Sequence, residues 1–382
     1  MKAALSLTLV LSLFVLSCAS EPIPEPAGEP TLSEISAEGA AAIDEFLGSS
    51  IAIGHVPKAV AMVANREGII YVGTFGKKDV ANDIDVQLDS IFNMASMTKP
   101  ITSVATMMLL EEGAFELDDP VSTYLLDMAD REVVRSIDES AGTYETEPTE
   151  SDITIRQLLT HSSGLAYAFS NPTMQSLVDG ELVEAPTPEA VESAVRGDGG
   201  LHSTAPNYIR FLRMLLNKGE FEGKRLLSEA SVDAVMANQI GSISVETQLT
   251  TNPARSLNFP IGAGADKFGL GFQITASNAA NPDLRAAGSY SWAGIFNTHF
   301  WGDPEREIVA VILMQQLPFY SDEAMADTPA RRHNPPTTRR DRGGYLEQVH
   351  GSCLDRLFIG GTGSWDGART WIALGGRARR PR

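Results

Sequence analysis

Cysteine is nearly absent from this sequence: Cys18 and Cys353 are the only two in 382 residues. Two cysteines at opposite ends build no disulfide framework, so the fold must hold by packing. The six histidines are scattered, without the close spacing of a metal site. A Gly-x-Ser-x-Gly elbow and a phosphate loop are missing as well, which disfavours an α/β-hydrolase or a nucleotide enzyme. No cofactor motif stands in their place. Positive charge is short: 30 Lys and Arg against 49 Asp and Glu leave a net −19. Such a chain repels the phosphates of nucleic acid. What remains is ordinary for a soluble globular protein, with 43% hydrophobic and 21% charged residues. The length suits one large domain or two smaller ones with ample core.

The two ends differ from the middle. Lys2 precedes an apolar stretch from Ala3 to Leu16, which falls short of the roughly 20 residues of a membrane span. A signal peptide is the better reading. Ser17-Cys18 resembles a bacterial lipoprotein cleavage site, so residues 1–17 are expected to be removed and Cys18 lipidated. That predicts an exported protein, anchored to the membrane on the periplasmic side. Residues 18–32 include Glu21-Pro22-Ile23-Pro24-Glu25-Pro26, a stiff and solvated tether. Residues 328–382 hold 11 of the 22 arginines and none of the eight lysines, for a local charge of +7 against −26 elsewhere. Either a disordered basic extension or a frame-shifted reading accounts for this swap. Trp365-Asp366-Gly367 lies inside it.

Between those ends, residues 33–327 read as one catalytic-type domain. Leu32 to Leu47 has helical spacing. Ala59–Val63 and Ile69–Val72 form a hairpin through Asn65-Arg66-Glu67-Gly68. Ile101 to Leu110 is apolar nearly all round, which predicts a buried helix. A short helix opens at Asp118-Asp119-Pro120 and runs through Tyr124 and Leu126, and Ser136 to Asp152 reads as a surface loop. Ile155–Leu159 is helical and ends at His161-Ser162-Ser163-Gly164. Thr204 and Pro206 start a helix through Leu215, and Leu227–Ala237 is another. Leu270–Ile274, Ile295–Trp301 and Ile308–Met314 read as strands, and a last helix begins at Asp322.

One spacing carries chemistry. Ser96-Met97-Thr98-Lys99 is the sole Ser-x-x-Lys in the chain. Residues three apart on a helix share a face, so a lysine amine can take the proton of a serine hydroxyl. Pro100 is tolerated only in a first turn, which puts Ser96 at a helix N-terminus where developing negative charge is favoured.

The residues around it resemble a known family. Ile91-Phe92-Asn93-Met94-Ala95-Ser96-Met97-Thr98-Lys99-Pro100 is similar to the active-site segment of the serine β-lactamase-like superfamily. The branch is that of class C β-lactamases, family VIII carboxylesterases and D-alanyl-D-alanine carboxypeptidases. Thr154–Leu165, Gly199–Ala205 and Ser291–Thr298 resemble its next segments in order, so the likeness runs from about residue 40 to 320. It implies an α/β (α+β) fold of β-lactamase/transpeptidase type, an antiparallel sheet packed with helices plus a helical lobe within about 93–200, here expected to be shortened by an internal deletion. It implies acyl transfer through an acyl-serine, as in the handling of Ser-x-x-Lys by β-lactamases and penicillin-binding proteins. Ser96 matches the nucleophile and Lys99 its lysine, which titrates near 10.4 when free and must be partly deprotonated to act as a base. Trp292-Ala293-Gly294 matches the third motif, Lys-Thr-Gly in β-lactamases and often Trp-x-Gly in the esterases. The backbone N–H groups of Ser96 and Ile295 would form the oxyanion hole. Loss of the motif's lysine favours neutral esters over β-lactams or peptides, all three being the small substrates of the branch.

The likeness breaks at the second motif. A tyrosine, usually Tyr-x-Asn or Tyr-Ser, should lie between Gly164 and Gly199, yet that interval is short and no Tyr-x-Asn occurs in the chain. Tyr167 is the single tyrosine there, placed in the loop after Gly164. His161 is expected to tie its loop to the backbone. Two readings therefore stand side by side: a serine hydrolase acting on an ester or amide, esterase-like rather than β-lactamase, or a catalytically defective relative that serves as a surface binding module or has no function.

Overall fold

A computed structural model describes residues 35–183, 197–256, 258–259, 262–276 and 285–318. The expectations for Cys18, the tether, the helix from Asp322 and the arginine-rich end lie outside them. Helix α1, Ala37–Ala52, starts where the Ser36 hydroxyl accepts a hydrogen bond from the Gly39 N–H at 3.0 Å. The helix therefore begins later than the apolar spacing from Leu32 suggests, because the cap rather than the periodicity sets the boundary. It leads into strands β1, Lys58–Asn65, and β2, Ile69–Asp79, whose turn is closed by the Asn65 side chain accepting from the N–H groups of Glu67 and Gly68, both at 2.8 Å. Short strands β3, Ile84–Asp85, and β4, Phe92–Asn93, come before a 3-10 turn at Ala95–Met97 and helix α2, Thr98–Glu111.

The middle of the chain holds strands β5, Glu132–Asp138, and β6, Thr143–Pro148, then helices α3, Ile155–Leu159, and α4, Pro172–Asp179. Strand β7, His202–Ser203, precedes helix α5, Ala205–Leu216. Strands β8, Glu220–Phe221, and β9, Lys224–Arg225, form a small hairpin before helix α6, Glu229–Met236. The chain closes with β10, Lys267–Phe268, β11, Gln273–Ile274, β12, Tyr290–Gly294, β13, Thr298–Asp303, and β14, Ile308–Leu313.

Eight strands make the main sheet in the order β10-β11-β12-β13-β14-β1-β2-β3, with antiparallel pairing throughout. The last strand pairs with the first, Val60 opposite Leu313 and Asn65 opposite Ile308, so early and late sequence meet mid-sheet. Side chains alternate across a strand, and both faces of this sheet are covered. Ala59, Ala61, Val63, Trp301, Ala310 and Ile312 join Ile43 and Leu47 of α1 in one core. Val60, Met62, Ala64, Phe300, Val309 and Val311 face the other way, against Tyr208, Ile209, Leu212 and Leu216 of α5. Met94, Met97, Val104 and Met107 belong to this second core, which places the Ser-x-x-Lys helix on its side of the sheet.

Several expectations are corrected. Ser136 to Asp152 is not a loop throughout, since β5 and β6 pair from Glu132 opposite Pro148 to Asp138 opposite Thr143. The hairpin is exposed along nearly its whole length, so it carries no buried face whose alternation could mark it as strand. Helix α2 is not buried all round: Met107 is 1% exposed, but Met108 and Leu109 are 37% and 49% exposed. Ile295–Trp301 is not one strand, because β12 ends at Gly294 and Asn297 takes the left-handed backbone of a turn, φ 56°. Asp118–Leu126 yields two 3-10 turns, Val121–Thr123 and Leu126–Met128, in place of a helix. Leu270 and Phe272 are buried outside any strand, and only Gln273–Ile274 pairs.

The uneven burial of α2 has a measurable consequence. Met107→Ala should cost about 2–5 kcal/mol, the range for opening a core cavity. Met108→Ala should cost less than about 0.5 kcal/mol. Urea unfolding midpoints at unchanged m-value measure both, and equal losses would mean that α2 is covered on both sides.

Candidate active site

Three parts of the chain build the site around the start of α2. The first is the turn that carries Ser96. Strand β4 pairs with β7, Asn93 opposite His202, and the Asn93 N–H donates to Gln315 Oε1 at 2.7 Å. The Asn93 side chain accepts from the Ala95 N–H at 2.8 Å, and Ala95 sits in left-handed backbone, φ 46°. The buried Tyr208 hydroxyl donates to the Met97 carbonyl at 2.9 Å. Ser96 thus leaves a turn pinned on both sides and enters the helix at once.

The second part is the loop from Gly197 to Leu201, held by the first turns of α2. Thr102 Oγ1 donates to the Gly197 carbonyl at 2.6 Å, Lys99 Nζ to the Asp198 carbonyl at 2.7 Å, and Thr98 Oγ1 accepts from the Leu201 N–H at 3.1 Å. The Met94 N–H closes the circle by donating to the Leu201 carbonyl at 2.8 Å.

The third part is the end of β12. Gly294 lies so near the Ser96 turn that a Cβ there would meet the Met94 carbonyl and Thr298 Oγ1, each at 2.4 Å. Any larger residue would force the strand away. Thr298 Oγ1 donates to that Met94 carbonyl at 3.1 Å, tying β13 to the same point. The turn from Ile295 to Asn297 is fastened from behind, as the Asn297 amide donates to the Gln316 and Pro318 carbonyls at 2.9 Å.

These parts meet in a cavity of about 550 Å³ lined by Ser96, Lys99, Tyr167, Asp198, Trp292, Ala293, Gly294 and Ile295. Lys99 Nζ is 3.1 Å from Ser96 Oγ and 3.2 Å from the Tyr167 hydroxyl, and it lies 5.4 Å from the centre of the Tyr167 ring. The Tyr167 hydroxyl in turn donates to Asp198 Oδ2 at 2.9 Å. Tyr167 opens a 3-10 turn, Ala168–Ser170, held by Thr251, whose hydroxyl and N–H donate to the Ala168 and Phe169 carbonyls at 2.7 and 2.9 Å. Every residue that the sequence singles out for the cavity is therefore brought to it, Tyr167 included; Cys18 lies outside the described residues. Asp198 and Phe259 were missed. The signal for Asp198 was its place just before Gly199-Gly200 of a matched segment, and no local pattern marks Phe259.

A family model described as Beta-lactamase matches residues 40–181 and 176–334. The chain belongs to this family. Among relatives, Protein Rv1367c of Mycobacterium tuberculosis is 26% identical over 72% of this chain and 89% of its own length. Esterase EstB of Burkholderia gladioli is 31% identical over 36% of this chain and 32% of that protein. Simvastatin synthase (LovD, a LovD6 mutant) from Aspergillus terreus has a similar fold, with a TM-score of 0.61 at 19% identity. That likeness covers 86% of this chain and 100% of the other. The antiparallel sheet with its flanking helices is the β-lactamase/transpeptidase-type architecture that the resemblance implied.

Within this β-lactamase fold, His161 does not tie its loop to the backbone as expected. Its residue takes left-handed backbone, φ 56°, and its ring packs 4.7 Å from Phe268 and 5.0 Å from Trp292. Trp292 also meets Phe259 edge-on at 5.4 Å, so the third motif supplies an aromatic wall. Crowding by protein, with the Lys99 cation nearby, pushes the His161 imidazole down to about 3. The residue also lines the open cavity, and its ring is neutral near pH 7.

That shift sets a pH dependence. The unfolded chain takes up a proton at His161 near pH 6.5, while the folded chain resists until about 3, so stability falls as pH drops through that window. His161→Asn, which accepts left-handed backbone, should lose less stability than wild type between pH 6.5 and 4. Parallel denaturation curves across that range measure the difference, and identical slopes would show that His161 is protonated in the folded protein.

Proposed function

We propose that this protein is a serine hydrolase that opens a small uncharged ester through an acyl-serine. The observation that carries the proposal is Lys99 Nζ lying 3.1 Å from Ser96 Oγ and 3.2 Å from the Tyr167 hydroxyl, at the wall of one cavity. A nucleophile within hydrogen-bond reach of a base, itself oriented by a third group, is the arrangement nucleophilic catalysis needs. The same cluster weighs against a defective relative, because Tyr167 supplies a hydroxyl where the second motif had appeared lost.

Once Lys99 has given up its own proton, Ser96 Oγ attacks the acyl carbon while its proton passes to the Lys99 amine. The carbonyl electrons move onto oxygen, where the backbone N–H groups of Ser96 and Ile295 receive them. Collapse expels the alcohol, which leaves with the proton from Lys99. Water then attacks the acyl carbon and gives a proton to Lys99, and collapse releases the acid as Lys99 returns that proton to Ser96 Oγ. The substrate class follows from the walls. Trp292 replaces the lysine of the β-lactamase motif, and among the described residues Lys99 is the single Lys or Arg lining the cavity, with the Asp198 carboxylate beside it. The described lining thus offers no second cation for a substrate carboxylate. Leu158, Leu165, Phe169 and Phe259 offer apolar contact to the acyl group instead. The esterase name of the Burkholderia relative agrees with this reading. The Lys2 to Cys18 segment further supports export and lipid anchoring at Cys18.

Wild type should hydrolyse p-nitrophenyl butyrate and gain one fluorophosphonate mass on Ser96. Ser96→Ala should abolish both, and Lys99→Met should lower kcat/KM about 10²–10⁴-fold. Hydrolysis that survives Ser96→Ala would remove the nucleophile assignment. In a separate experiment, radiolabelled palmitate should enter the protein expressed in a bacterium and be lost in Cys18→Ser; equal labelling of both would refute the anchor.

A further inference from the structure

We propose that Asp198 is a positioning residue: by accepting the Tyr167 proton it keeps the Lys99 lone pair directed at Ser96. The inference rests on the acyl-serine reading and assigns the direction of each hydrogen bond within it. A main-chain carbonyl only accepts, so at the 2.7 Å contact with the Asp198 carbonyl Lys99 donates. A phenol has one proton, and that of Tyr167 goes to Asp198 Oδ2 at 2.9 Å. At the 3.2 Å contact the Tyr167 oxygen therefore offers a lone pair, and Lys99 donates again. A neutral amine has two protons and one lone pair. Among its contacts with Asp198, Tyr167 and Ser96, the one with Ser96 at 3.1 Å is then where the amine can accept. Without the carboxylate, the phenol proton could turn to the amine nitrogen and block it.

The fold explains how one residue can impose this. Asp198 is fastened to the helix that carries Ser96 and Lys99, through the bonds of Thr98, Lys99 and Thr102 to the Gly197–Leu201 loop. Tyr167 arrives on a separate loop held by Thr251. The Asp198 side chain joins the two. Nucleophile, base and carboxylate thus move as one unit, and the tyrosine is oriented by it rather than orienting it.

The test uses the full chain and p-nitrophenyl butyrate, after wild type has been shown to form the fluorophosphonate adduct on Ser96. Asp198→Ala should lower kcat about 10–100-fold with KM within about threefold, the signature of a loss felt at the chemical step. Asp198→Asn keeps an acceptor oxygen of the same size and should regain most of the rate. In a Tyr167→Phe background, Asp198→Ala should change kcat by less than about twofold, because the carboxylate acts through the phenol. A full loss persisting in that background overturns the inference, as does an Asn variant no better than Ala, which would make charge and not hydrogen-bond direction the contribution. Absence of the wild-type adduct would instead overturn the acyl-serine reading, and this inference with it.

Discussion

The site depends on one close approach, that of β12 to the turn before α2. At Gly294 the strand backbone lies where any side chain would strike the Met94 carbonyl and Thr298. Thr298 turns this proximity into a bond by donating to that carbonyl. Sheet and helix are otherwise separate elements, and their relative placement decides whether Ile295 comes beside Ser96. In the proposed acyl transfer, a strand displaced by even an ångström would take the Ile295 N–H out of reach of the developing oxyanion, since such donors act at about 2.7–3.1 Å. Glycine is therefore required by contact rather than by backbone angle.

Rigidity around the nucleophile is local and redundant. Asn93 caps the left-handed Ala95, Tyr208 binds the Met97 carbonyl from the core, and Met94 is held by both Leu201 and Thr298. The left-handed non-glycine backbone at Ala95 is strained, and such strain persists only where surroundings determine it. Here they do, through bonds reaching more than a hundred residues along the chain in each case but one. Ser96 is thus presented by the whole fold, although its motif spans only four residues.

This contrast explains what could be read from the sequence. Ser96, Lys99 and the turn at Asn65–Gly68 obey local rules, in which spacing or turn chemistry within a few residues determines the outcome. Strands β1, β2 and β14 were legible as short apolar, β-branched runs although Lys58–Asn65, buried on both faces, shows no alternation. The order of the β-lactamase-type sheet was legible only through four ordered segments. Asn297 interrupts an apolar run whose residues look like one strand, and only its backbone angle reveals the turn. The β5–β6 hairpin was invisible for the opposite reason, having almost nothing buried to pattern. Met108 and Leu109 misled because helix periodicity counts apolar residues without knowing which neighbours arrive. Tyr167 and Asp198 lie 68 and 99 residues from Lys99, and no spacing rule joins them.

A short interval between Gly164 and Gly199 therefore need not empty the site. What the chemistry requires is a hydroxyl beside the lysine and something to fix that hydroxyl's proton, not a particular sequence distance. The first is supplied by a tyrosine directly after the Gly164 turn, held by Thr251 from a distant loop. The second is supplied by a carboxylate on the loop that the nucleophile helix itself grips. Both anchor points are bonded to elements outside the interval, Thr251 to the Tyr167 turn and Thr98 to the Leu201 loop. Along the β12 edge the aromatic contacts of Trp292 with His161, Phe268 and Phe259 form one wall. The Ser96–Lys99–Tyr167 cluster and the cavity wall are thereby built by different parts of the chain, the first by hydrogen bonds to α2 and the second by aromatic packing on the β12 edge.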